Sequence, residues 1–471
     1  MAEEKDADAQ SEKHPWRENI EAITMAVVMA VMLKYFVVEA YKIPTGSMQP
    51  TLMGNDETAI KDRILVDKLS YHYRDPERWE VTVFKYPLDL SKNFIKRLVG
   101  VGPEELRLRN GDLWNRPDAS AEWKVLRRPL PVQEETWKPL FVGVDDLPGW
   151  KPLGGARSWS IGEEEIEARG DGSLRFPPSG SVMDDYRHGY PLSVRRVIRS
   201  NRLSGQKPVG DLRVTGSIEA LEGLERVMIE LREGTRSYAF VLPGPAASGE
   251  DRVTIAVDDT APASPITDQL RVRMEEEWRL APGQSVRFGV QNLDDELQLE
   301  LDGEVVLSLE IPAASDQRSS VTVHLEGAGA DIAELEVFRD IYYLGDSMKR
   351  AEWQIPEGHY VMLGDNTQDS SDSREWTLER YRYPKDGGEV LRGNHRANNE
   401  NPRVVQGLPG GTEMWFRDEW GELHNFKSAS AERMTPQAVS FVPRELVTGR
   451  AVLVFWPMKP SFGLWRLSWV H

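Results

Sequence analysis

The chain has 471 residues, more than one ordinary domain holds, so two or three cores are expected. Its 40% hydrophobic and 28% charged content describe globular material and exclude a mostly disordered chain. The formal charge of -18 excludes a general nucleic-acid binder, which needs a basic face for phosphates. With no cysteine there are no disulfides, thiol nucleophiles or thiolate metal sites. The eight histidines are scattered without a His-x-x-x-His pair, so neither a metal site nor a cofactor is expected.

Residues 1–18 read as a polar tail. An apolar segment follows, from about Ile20 to Val38, broken by Lys34 and edged by Glu21 and Glu39. About 19 residues at 1.5 Å each span about 28 Å, enough for a hydrocarbon core. A buried soluble helix fits poorly, because the run is apolar all round. A cleaved signal peptide ending at Val38-Glu39-Ala40 is set against the run's length and its weakly basic leader. A retained transmembrane helix is the preferred reading. Lys5, Lys13 and Arg17 precede it and only Lys42 follows closely, which favours a cytoplasmic N-terminus.

Beyond this segment the chain reads as mainly β. Arg63–Leu69, Trp79–Phe84 and Phe94–Val101 have strand character, and Asn110-Gly111-Asp112 signals a turn. Residues from about 118 to 195 are rich in Pro, Trp and charge, with weak periodicity. From about 211 to 343 alternation is strong. Leu297, Leu299 and Leu301 lead through Asp302-Gly303 to Val305, Leu307, Leu309 and Ile311, a hairpin with its apolar side chains on one face. Repeated alternation suggests a β-sandwich. The acidic run Glu275-Glu276-Glu277 reads as a solvated face. Residues 377–440 form a polar excursion, and Val447–Trp456 reads as a closing strand.

Two residues frame the chemistry. Ser47 stands in Ile43-Pro44-Thr45-Gly46-Ser47-Met48-Gln49-Pro50-Thr51-Leu52, and Lys96 in Phe94-Ile95-Lys96-Arg97-Leu98-Val99-Gly100. A serine needs a base. The only nearby histidine is His72, and a lysine can serve if apolar surroundings keep it neutral. On a strand Lys96 and Arg97 face opposite ways, so one can enter a site while the other meets solvent or a carboxylate.

With Asp62–Tyr71, Gly364-Asp365-Asn366, Ser370-Ser371-Asp372-Ser373-Arg374, Val442-Pro443 and Gly449-Arg450-Ala451, these motifs follow a familiar order. The chain resembles the type I signal peptidases, membrane-anchored serine proteases that remove signal peptides from exported proteins. The motifs and their flanks cover under half of the chain. The resemblance implies Ser47 as nucleophile, Lys96 as general base and Thr45 as an oxyanion hydroxyl. It implies Ser370 as the residue orienting the lysine, Asp372 and Arg374 as a supporting ion pair, and Asp365 and Asn366 as shapers of the loop. Ile43, Met48, Val81 and Val83 are candidates for shallow pockets taking small side chains at the −1 and −3 positions. Two departures stand out: Gly102-Pro103-Glu104 after the lysine motif, and Thr367 where the family often has Arg.

The resemblance implies a signal-peptidase-type β-rich catalytic core in three parts, 41–117, 344–376 and 441–471, behind an anchor at 19–40. An inserted β-sandwich-like domain occupies 118–343, and a polar insertion 377–440. Expected partners are signal peptides of exported preproteins, the phospholipid bilayer and the secretion translocon, with no nucleic acid. The expected place is the bacterial cytoplasmic membrane, single-pass, with the catalytic domain outside. Two other readings compete. One is a membrane-anchored binding protein with an inactive protease core and a working sandwich. The other is a soluble esterase around Gly345-Asp346-Ser347, whose Asp185-Tyr186-Arg187-His188 comes in the wrong order.

Overall fold

The computed structural model describes residues 15–55, 60–142, 149–154, 159–162, 165–190, 195, 207–248, 252–258, 271–345, 350–396, 400–406, 411–459 and 464–471. The tail before residue 15, and Asp346 and Ser347 of the esterase reading, lie outside the described residues.

The first element, α1, is an α-helix over Pro15–Met32. Arg17, Glu18 and Glu21 fall in its first two turns, and its hydrogen bonding loosens into a π-type turn at Leu33–Val37. The strand Val38–Lys42 then begins. Among the described residues no helix is long and apolar enough to cross a membrane. The expected 19–40 helix therefore stops short, because its last residues pair with Arg63–Asp67 in a sheet.

That sheet builds the core. Its strands run in the order Val38–Lys42, Arg63–Asp67, Val447–Trp456, Val81–Tyr86, Asp89–Val101, His359–Leu363 and Val442–Pro443, with Ser468–Trp469 added on Val447–Trp456. All its pairs are antiparallel. The register sets Thr82 opposite Lys96 and Leu363 opposite Arg97. The segment leaving Leu363 is thus delivered beside the lysine, and the chain leaving Lys42 is delivered from the other edge. Ile43, Met48, Leu52, Ile64, Val66, Val81, Val83, Ala451 and Val454 close one apolar cluster between them. Next to this sheet, Glu104–Arg109, Asp112–Arg116, Lys124–Val125 and Glu352–Ile355 form a smaller one. Its hairpin turns at Asn110-Gly111 with φ of 56° and 102°, a left-handed pair that the Asn-Gly sequence accommodates.

The inserted region is a sandwich of an eight-stranded and a seven-stranded sheet around one large apolar core. It starts earlier than the alternation suggests. Lys138–Val142, Lys151–Leu153, Trp159–Ile161, Glu165–Ala168 and Gly172–Phe176 all join its sheets. The leucine hairpin forms with Asp302 and Gly303 at its tip. One of its expected features fails: Val305 is exposed. A bulge between the Leu299 and Glu300 pairings adds Val306 to the returning strand and turns Val305 outward. Glu275, Glu276 and Glu277 are exposed, as a solvated face requires. The 377–440 excursion is also β, with Tyr381, Met414, Phe416 and Phe426 as its own small core.

Candidate active site

Ser47 sits in a turn after Lys42, held from behind by the loop that follows Leu363. The Asn366 N–H donates to the Ser47 carbonyl (3.1 Å), and Asn366 Nδ2 donates to the carbonyl of Gly46 (3.1 Å) and to Gln49 Oε1 (3.2 Å). Lys96 comes from the facing strand and is buried. Its Nζ donates to Ser47 Oγ at 2.7 Å. Burial lowers the lysine from its ordinary 10.5 to about 8, against the opposing pull of the Asp372 and Asp365 carboxylates. A hydroxyl bonded to an amine that sheds its proton this easily can be activated for attack.

Arg97 points to the other face, as strand geometry requires, and it meets a carboxylate there. Its guanidinium is fully buried against Asp365 (Nε to Oδ1 2.9 Å, Nη2 to Oδ2 2.9 Å). Thr51 Oγ1 donates to the same carboxylate at 2.6 Å. Asp365 thereby joins the strand of the lysine to the turn of the serine. Asp372 and Arg374 form a second buried pair at 2.7 Å, and Asp372 Oδ2 accepts the Gly364 N–H at 3.0 Å. Burial works against the Asp372 carboxylate, but Arg374 and the Gly364 N–H outweigh it and hold it below the usual range. Breaking a pair buried this completely leaves an uncompensated charge. Asp372→Ala is expected to destabilise the fold by about 3 kcal/mol or more, read from denaturant unfolding.

The remaining expected residues are placed as follows. Thr45 is exposed, with Oγ1 3.5 Å from Ser47 Oγ. Ser370 is buried against Gly364, and its Oγ reaches no partner within hydrogen-bond geometry, Lys96 Nζ included. Ile43, Met48, Val81 and Val83 are brought together, but as buried members of the core cluster under the site. The two departures have local accounts. Thr367 Oγ1 donates to the carbonyl of Tyr342 (2.7 Å), and its own carbonyl accepts from Arg374 (3.1 Å). Glu104 pairs with Arg78 at 2.7 Å and accepts the Val101 N–H at 2.9 Å, closing the altered turn.

Gly364 is required by close approach. A Cβ there would lie 2.2 Å from Ser370 Oγ and 2.5 Å from the Ser47 carbonyl oxygen. Gly364→Ala is expected to shift the serine turn and lower turnover about 100-fold, with an unchanged circular dichroism spectrum.

One contributor escapes sequence reasoning. Lys138, from the inserted region, is fully buried, and its Nζ donates to the Asp365 carbonyl at 3.0 Å. Burial and then Arg339 lower it to about 7. A lysine set between Trp137 and the apolar run Pro139-Leu140-Phe141 was the available signal. Tyr190 makes a parallel contact, accepting from Asn55 Nδ2 at 3.0 Å. The insertion therefore braces both the backbone of the 364–374 loop and the segment that follows the serine turn.

With this geometry in hand, the comparisons with known proteins gain a physical meaning. The family model described as signal peptidase, peptidase S26, matches residues 16–121 and 282–385, spans that contain Ser47, Lys96 and the 364–374 loop. A probable signal peptidase I-2 of Synechocystis sp. is 39% identical over 108 residues, 22% of this chain and 46% of that protein. A probable signal peptidase I-1 of the same organism is 33% identical over 125 residues, 24% of this chain and 61% of that one. A signal peptidase I of Leptolyngbya laminosa is 36% identical over 105 residues, 21% and 48% respectively. The chain thus spans about half the length of the curated relatives it matches. A solved carbohydrate-binding module of Bacillus subtilis covers 40% of this chain at 12% identity and a TM-score of 0.26, which decides nothing. Over these spans the chain is similar to the signal peptidases, peptidase S26.

Proposed function

We propose that the protein is an endopeptidase that removes signal peptides from exported preproteins, using Ser47 as nucleophile and Lys96 as general base. The observation that carries this reading is the 2.7 Å hydrogen bond from Lys96 Nζ to Ser47 Oγ in a buried setting. Lys96 takes the serine proton as Oγ attacks the scissile carbonyl, and returns it to the leaving amine. Thr45 Oγ1 and the Ser47 N–H are the donors for the developing oxyanion, a reading supported by the threonine's position 3.5 Å from Ser47 Oγ. Ser370 and the Asp372–Arg374 pair are positioning groups behind the lysine. Ile43, Met48, Val81 and Val83 form the floor beneath the small-residue pockets.

The substrate's apolar segment lies in a bilayer, so the enzyme must work beside one. The apolar part of α1 is its membrane attachment, single-pass with the N-terminus inside and the catalytic core on the outer face of a bacterial cytoplasmic membrane, near the translocon. In support, Ile23, Met25, Val27, Met29, Met32 and Phe36 are all more than half exposed, which water penalises and a lipid phase does not. The test is incubation of a preprotein in detergent micelles with the purified full chain, followed by N-terminal sequencing of the product. Cleavage after a small-x-small sequence is expected. An intact preprotein, or cuts scattered through the mature part, would contradict the proposal.

A further inference from the structure

Away from the proposed catalytic residues, three carboxylates converge where the insertion meets the core. Asp112 opens the second strand of the Asn110-Gly111 hairpin, Asp211 immediately precedes the sandwich strand Leu212–Ala220, and Asp294 lies in the turn between Ser285–Leu293 and Glu296–Leu301. One oxygen from each lies within 4.8 Å of the others. Asp211 and Asp294 are buried, and Asp112 is partly so.

Asp295 and Asp340 add to the same negative field, which Arg128 and Arg127 oppose at Asp294 and Arg236, Arg127 and Arg109 oppose at Asp295. Arg128 is committed to Asp340. It stands 3.7 Å from Asp294 Oδ2, beyond hydrogen-bond distance, and among the described residues this buried oxygen, on a side chain only 3% exposed, has no hydrogen-bond donor. Arg127 donates from Nε to the Asp294 carbonyl (3.4 Å) and pairs with Glu296 and Glu310.

We propose that Asp112, Asp211 and Asp294 bind a hard divalent cation of the calcium or magnesium class, which fastens the inserted sandwich to the core hairpin. The donor set is oxygen alone, with no imidazole or thiolate, which suits calcium or magnesium over transition metals. One oxygen from each of the three side chains lies close enough to the others to share a single ion. The buried Asp294 carboxylate, whose Oδ2 has no donor among the described residues, is the group such an ion would satisfy. The group Asp418, Glu422 and His424 differs in kind. Asp418 already accepts from the Trp420 and Glu422 N–H groups and is hydrogen-bonded to His424, so nothing there is left for an ion.

The proposal does not rest on hydrolytic activity. Its test is titration of the chelator-stripped full chain with calcium chloride, followed by calorimetry and thermal unfolding. Saturable 1:1 binding is expected, with an upward Tm shift of about 5 °C at calcium a hundredfold above Kd. Asp211→Asn and Asp294→Asn should each weaken binding at least tenfold, and Glu422→Gln should leave it unchanged. If wild type shows neither heat nor a Tm shift, the proposal fails. It fails equally if Asp294→Asn raises Tm in chelator and wild type ignores calcium, the result for a merely repulsive cluster. Should the variants not fold, the wild-type titration and metal content by mass spectrometry decide alone.

Discussion

Cleavage by this protein, measured as kcat/KM on a preprotein, is expected to fall about tenfold for each pH unit below about 8 and to level off above it. The sign follows from the base. Lys96 must be neutral to accept the serine proton, and burial has brought its pKa from 10.5 down to about 8. Below that value the amine is protonated and the reactive fraction shrinks with proton concentration. A His-based serine protease would level off near the ordinary histidine value, more than a pH unit lower. A profile flat from pH 6 to 9 would contradict lysine as the base.

Lys96→Met is expected to produce an inactive protein that is more stable than wild type. At neutral pH the native state holds a buried amine whose pKa lies below its unfolded value. Between the two values the unfolded chain binds more protons, so stability rises with pH across that window, and the cost is fully present below about 8. A displacement from 10.5 to about 8 corresponds to a cost of about 3 kcal/mol. Methionine fills a similar volume without the charge and forfeits one hydrogen bond, worth about 1 kcal/mol, leaving a gain of about 2 kcal/mol in denaturant unfolding. Turnover should drop on the order of 10⁴-fold, as for loss of a catalytic base. Loss of stability together with activity would make Lys96 a structural residue. Gain of one with loss of the other is the signature of a group kept for chemistry.

Much of the candidate site was legible because its information is local. The motifs around Ser47, Lys96 and Asp365–Arg374 each occupy about ten consecutive residues, and antiparallel pairing of the strands that carry them brings them together. The leucine hairpin was legible for the same reason, its turn and alternation being adjacent. The bulge that exposes Val305 was not, since a ladder irregularity leaves the alternation of residue types unchanged. Pairings across long separations were also hidden. Gly172–Phe176 finds its partner in Ser319–Gly327, and only that pairing makes the weakly periodic Pro/Trp stretch part of a sandwich. Lys138 and the three aspartates belong to this class. Each looks like a surface charge in its own segment, and only the docking of the insertion on the core buries it. The helix α1 shows the opposite case. A long apolar run was plain to see, but where its helix gives way to a strand is set by pairing with Arg63–Asp67.

The most direct test of the Ser47–Lys96 assignment is side-by-side cleavage of one preprotein by wild type and Ser47→Ala at pH 8.5, both shown to be folded. The dyad predicts that the alanine variant loses on the order of 10⁴-fold or more in rate. Equal cleavage by the two proteins would contradict it.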